Sequence, residues 1–146
     1  MQNAIADALN NTEWAFPLAE CFHIAGFAVS VGTVVLVDFR MLGLGFKKEP
    51  AAKLVRDTEL WTLMALIIVI FSGLALFMSQ IDIYLHNQAF PVKMVGLLVA
   101  IIFNFTIHRK VAISPDSSPL LSKTVAIISL FLWVGIVFGG LFIAFV

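Results

Sequence analysis

Charge is scarce in this chain, and so are the residues that staple small folds together. Asp, Glu, Lys and Arg make up 12% of its 146 residues, about half of the roughly 25% usual in a soluble domain. Basic and acidic side chains balance at nine each, which argues against nucleic acid as a partner. The single cysteine, Cys21, excludes an internal disulfide framework and leaves no Cys-x-x-Cys or zinc spacing. Residues 1 to 16 lack the basic start and clean apolar run of a secretory signal peptide, so the first span is expected to insert by itself. There is no nucleotide-binding loop, hydrolase nucleophile arrangement or metalloprotease helix. Internal repeats, low-complexity tracts and a second domain are absent too.

What the chain has in quantity is apolar side chain: 61% hydrophobic residues and a mean hydropathy of +1.03. A membrane span needs about 20 apolar residues. Four stretches qualify, at about 17–46, 61–79, 91–108 and 124–146. The first is longer than required, so tilt or an extension beyond the bilayer is expected. Pro17 and Pro91 suit the first turn of a helix, where a missing N–H costs nothing. Pro50 breaks the first linker, and 51–60 is expected to be helical already. Pro115 and Pro119 mark the second linker. Residues 1–16 read as a short amphipathic lead-in, with Trp14 and Phe16 at the interface, and 80–90 as a short loop. The expected fold is all-α, a single integral membrane four-helix bundle over 1–146.

Orientation follows from the basic residues. The loops after spans one and three hold Arg40, Lys47, Lys48, Lys53, Arg56, Arg109, Lys110 and Lys123, and the other side has only Lys93. That bias places these loops in the cytosol and both termini outside it. A multi-pass protein of a bacterial cytoplasmic membrane is the expected setting.

The first span carries groups that a membrane helix normally excludes. Glu20, His23, Gly26, Ser30, Thr33, Val37 and Arg40 recur at offsets of three and four and share one side of a helix. On the third span Lys93, Leu97, Ala100, Asn104 and His108 do the same. An ionisable residue inside a span is a functional-site candidate. Spans one and three run parallel, so His23 lies near the outer end and His108 about 22 Å further along the axis than Lys93. One metal cannot take both histidines. The outer cluster is Glu20, His23, His86 and Lys93, and the inner one is Arg40, Asn104, His108 and Arg109. Each residue also has a purely structural reading: His23 bonded to Glu20, Lys93 snorkelling to headgroups, His86 solvated, Arg40 and Arg109 setting orientation, Asn104 as interhelical glue, and His108 at the interface. Asp38 lies two residues from Arg40, and positions so spaced on a helix do not face each other. In span four Gly135 and Gly139 form a Gly-x-x-x-Gly spacing that permits close helix approach or a homo-oligomer.

The stretches AECFHIAGFAVSVGTVVLVDFRMLG and NQAFPVKMVGLLVAIIFNFTIH resemble a group of small uncharacterised bacterial four-helix membrane proteins. The shared pattern is a first-span histidine, an arginine before Leu-Gly, and a third span opening Phe-x-x-Lys and closing on Asn and His. More distantly the chain resembles the HemJ-type protoporphyrinogen oxidases and the membrane domain of the copper-resistance D family. The HemJ likeness implies a b-type haem associated with His23 and Lys93, with Arg40 matching the arginine that closes the first span.

On this reading haem b sits between spans one and three near the outer face. His23 is one axial ligand, Glu20 receives its other ring N–H, and Lys93 or His86 is the second ligand. Arg40 and Asn104 continue the matching polar stripes of spans one and three. The leading function is electron transfer in the membrane with a redox partner protein. The alternatives are a HemJ-like oxidase of a tetrapyrrole or apolar substrate, and a non-redox assembly subunit or a carrier of protons or small molecules.

Overall fold

A computed structural model describes residues 4–143 and 145. Residues 1–3 of the lead-in and 144 and 146 of the fourth span lie outside the described residues. The chain is helical throughout: α1 (Ala4–Asn11), α2 (Ala15–Leu42), α3 (Ala51–Ser79), α4 (Ile81–His86), α5 (Ala89–Phe103), a π-helical segment (Asn104–His108), α6 (Arg109–Ile113) and α7 (Pro119–Ile143). Four continuous helical stretches are long and apolar enough to cross a membrane: α2, α3, α5 through α6 with the π segment between them, and α7. The expected all-α membrane bundle is what the chain forms.

Local chemistry sets the helix ends. α2 stops before Gly43, whose φ of 79° is left-handed, a conformation that costs glycine little. The Gly43 N–H then bonds Arg40 O and the Leu44 N–H bonds Phe39 O, which satisfies two carbonyls that the helix end would leave open. The first span therefore ends four residues before the expected position 46. α3 begins directly after Pro50, as expected, and Pro119 opens α7 at its first position, five residues earlier than expected. The 80–90 segment is not a simple loop: a short helix, α4, occupies 81–86. Outside the spans, α1 lies against α3, with Asn10 Nδ2 donating to Ser79 O at 3.1 Å.

Two apolar clusters fill the bundle. Val34, Leu66, Leu97, Ala100, Trp133 and Ile136 form one; Val37, Met41, Val55, Ala112, Val125 and Ala126 form the other, nearer the two linkers. The opposite helix faces present Phe22, Ile24, Phe71, Val92, Leu98 and Phe131 outward, as lipid contact requires. Most of the polar stripe foreseen on α2 does turn inward. Gly26, Ser30 and Val37 are buried, and Thr33 Oγ1 lies 2.7 Å from Thr62 Oγ1 of α3.

Gly26 lets α2 and α3 approach closely. A Cβ there would stand 3.1 Å from Ala65 O and from Val69 Cγ2, and 3.2 Å from Ile68 Cγ2. At Gly32 of the same helix it would meet no atom within 4 Å. Gly26→Leu is therefore expected to lower stability by about 1–3 kcal/mol. Gly32→Leu should stay within about 0.5 kcal/mol of the parent. Unfolding of the two variants by denaturing detergent checks the pair.

Candidate functional site

The deepest polar group in the bundle is a carboxylate. Asp38 of α2 and Ser129 of α7 are fully buried, and His108 at the end of the π segment is 3% exposed. His108 Nε2 donates to Asp38 Oδ1 at 2.6 Å, and Ser129 Oγ donates to Oδ2 at 2.8 Å. Each carboxylate oxygen thus has a donor, from a different helix. The sequence reading placed His108 at the interface and set Asp38 aside; both are instead core residues. Asp38 does not face Arg40, as foreseen. It follows Ser30 and Val34 on the buried side, while Arg40 turns to the linker and donates through Nε to the Glu49 carbonyl.

The π segment explains how His108 reaches the core. Ala100, Asn104, His108 and Ala112 are all buried, three successive steps of four residues. A regular helix at 3.6 residues per turn would rotate by about 120° over those steps. A wide turn absorbs part of that drift, and such turns recur at functional sites.

Beside His108 lies a cavity of about 30 Å³, lined by Thr33, Thr58, Thr62, Glu59, Asn104 and Arg109 as well as apolar Val34, Val37, Val55 and Phe105. A water needs about 10–15 Å³ of such space and two to four polar partners, so one or two waters fit here. His108 Nδ1 and the Asn104 amide make no hydrogen bond among the described residues. Yet no fully buried side-chain nitrogen or oxygen among them lacks a partner. Both groups therefore border open space. At the mouth Arg109 donates to both oxygens of Glu59, at 2.7 and 3.2 Å, with 40% and 34% of the two side chains exposed.

His23 is seated at the other end of the bundle. Its Nδ1 lies 3.1 Å from both Val69 O and Ser72 Oγ of α3. Ser72 Oγ itself donates to Ile68 O at 2.6 Å, so the imidazole is the donor, through Nδ1–H. Gly73 makes room, since a Cβ there would come within 2.9 Å of His23 Cε1. The Phe27 ring lies 6.5 Å from the imidazole, nearly parallel to it, and Lys93 Nζ stands 5.8 Å from the centroid of that same ring. Lys93 runs along α7, where Cβ atoms at Gly139 and Gly140 would stand 3.7 Å from its Cβ and 3.1 Å from its Nζ. Gly140 thus makes room for the lysine side chain.

The remaining candidates of that cluster do not join His23. Glu20 is exposed and has no hydrogen bond to the imidazole; its charge acts on Tyr84 of α4, whose phenol is pushed above its ordinary value by burial first and by that carboxylate second. His86 Nδ1 bonds Asp82 O at 2.7 Å within α4. Asn104 and Arg40 lie at the linker end. Among the described residues no three His, Cys, Asp or Glu side chains converge on a metal position.

Of the two ligands expected for a haem, only His23 has the tautomer that a ligand needs. With Nδ1–H anchored on a carbonyl, Nε2 keeps its lone pair and makes no hydrogen bond among the described residues, as a ligating histidine requires. Lys93 is packed against α7, and Phe27 touches both groups, so a macrocycle held between His23 and Lys93 would have to displace that ring.

Sequence reasoning missed Ser72, Gly73, Ser129 and Glu59, although Ser129 lies at helical spacing from buried Val125, Ala126 and Trp133. Asp38 had a signal of the same kind, its offsets of four from Val34 and eight from Ser30. No curated protein and no solved structure matches the chain, and nothing supports the distant likeness to the HemJ-type oxidases or the copper-resistance D domain. A match does cover residues 14–146: the chain belongs to the family of unknown function DUF6644.

Proposed function

We propose that this protein handles protons in a bacterial cytoplasmic membrane, with the linker end of the bundle facing the cytosol and both termini outside. The observation that carries the reading is the buried Asp38–His108–Ser129 network with a water-sized polar cavity beside it. Ionisable residues inside a bundle mark proton relays and ion paths. A cavity of about 30 Å³ is too small for a metabolite, which favours a proton over a small-molecule cargo. The basic linkers support the orientation.

The transfer balances simply. Neutral His108 donates its Nε2 proton in a hydrogen bond to the Asp38 carboxylate, and Nδ1 presents a lone pair to the cavity. A cavity water, as hydronium, passes a proton to Nδ1. The network then goes from one net negative charge to none, as imidazolium paired with carboxylate. Glu59 and Arg109 stand at the mouth. A pair so open to solvent gains little from its attraction and can break and re-form as protons pass.

A second reading rests on the free Nε2 of His23: a haem ligated by that histidine alone, in an electron-transfer role with a redox partner protein. When bound, the haem would supply one-electron chemistry. An oxidised and dithionite-reduced optical spectrum of protein expressed with ample haem separates the two readings. A Soret band lost in His23→Ala supports the haem, and a colourless protein removes it.

Reconstituted liposomes with a pH-sensitive dye inside and an imposed membrane potential test the main proposal. Wild-type protein is expected to pass protons faster than protein-free liposomes. Asp38→Asn and His108→Gln, each confirmed folded by circular dichroism, are expected to remove that flux. Flux equal to the protein-free control, or unchanged in both variants, contradicts the proposal. Ser129→Ala should cost about 1 kcal/mol of stability while retaining most of the flux, because it removes one donor and no titrating group.

A further inference from the structure

Where the two linkers meet, the structure has a second and much larger opening. It encloses about 370 Å³, within the roughly 300–1,000 Å³ typical of small-molecule sites. Met41, Pro50, Val111, Ile113 and Pro119 give it apolar walls. None of its polar side chains is acidic: Arg40, Ser114 and Ser122 line it.

Those groups have capacity to spare. The Nε of Arg40 is committed to the Glu49 carbonyl, but its two Nη groups make no hydrogen bond or ion pair among the described residues. The Ser114 and Ser122 hydroxyls likewise have no side-chain hydrogen bond among them. The nearest carboxylates in sequence are Glu49, which is paired with Lys53 at 2.8 Å, and Asp116 in the second linker; neither lines the opening. A fork of guanidinium donors matches the geometry of phosphate oxygens better than a lysine would. The first turns of α3 and α7, at Ala51–Ala52 and Pro119–Ser122, add partial charge of the same sign.

We infer that this pocket binds a phosphate-bearing anion, with Arg40 as its principal ligand and the apolar walls holding the carbon part of the molecule. The phosphate comes from one of two sources: the headgroup of an anionic phospholipid, or a soluble phosphate compound. The site lies where the spans give way to polar linkers, the depth at which headgroups are found. It is independent of the proton network, since no residue of the Asp38–His108–Ser129 set lines it.

Full-length protein in an uncharged detergent, titrated with phosphatidylglycerol, phosphatidylcholine and inorganic phosphate, provides the test. Native mass spectrometry and the melting midpoint read binding. The expected result is binding of phosphatidylglycerol or of inorganic phosphate, with phosphatidylcholine weaker. Arg40→Gln should weaken that binding about tenfold or more. Ala52→Leu, which keeps the arginine and narrows the pocket, should weaken it too. Phosphatidylglycerol alone identifies a lipid site, whereas saturable inorganic phosphate identifies a soluble ligand. Equal binding of both lipids without phosphate binding overturns the inference, and so does binding that both variants leave unchanged.

Discussion

A carboxylate buried between the helices at the linker end of a membrane bundle is the constraint on which this architecture turns. Burying a carboxylate among membrane helices without partners is costly. Asp38 offsets that cost with two donors, one from the π segment and one from α7. Because the three groups come from three helices, they set the register of α2 against its neighbours as well as their spacing. Apolar packing inside a bilayer lacks such directionality, since lipid tails are as apolar as the helix faces they meet. The same network gives the protein a group that can change charge next to water-sized space.

The bundle is chemically polarised along its axis. At one end His23 is held by Val69, Ser72 and a glycine gap, and Lys93 is laid along Gly139 and Gly140. At the other end His108, bonded to Asp38, faces a cavity whose threonines, Asn104 and Glu59–Arg109 pair lead towards the linkers. Between them stand Ser30, which bonds only its own helix at Phe27 O, and the Thr33–Thr62 contact. The polar path is therefore well furnished near the linkers and thins towards His23.

Much of the fold was legible because the forces that make it are local. Hydrophobic run length marks the spans, Pro50 breaks the first linker, and offsets of three and four on α2 pick out Gly26, Ser30 and Thr33 as inward-facing. α4 was not legible, since six residues between two spans carry too little pattern to separate a helix from a loop. The buried Asp38–His108–Ser129 network was not legible. His23 stood out as a histidine inside an apolar run, whereas His108 lies near a cluster of basic residues and looked interfacial. What buries it is a partner 70 positions away, and no local pattern reports a pairing at that range. Asp38 was judged only against Arg40, its neighbour in sequence. Its offsets from Ser30 and Val34 already placed it on the buried face.

The central claim is that His108 exchanges a proton with water while remaining bonded to Asp38. Nitrogen-15 magnetic resonance of His108 in lipid bilayers, followed as the pH is varied, tests it most directly. The account predicts an Nε2–H held in a hydrogen bond throughout. It also predicts an Nδ1 that exchanges with water and passes between neutral and protonated forms. An Nδ1 signal that neither exchanges nor changes protonation state across the accessible pH range would contradict it, and would leave the triad as a packing device.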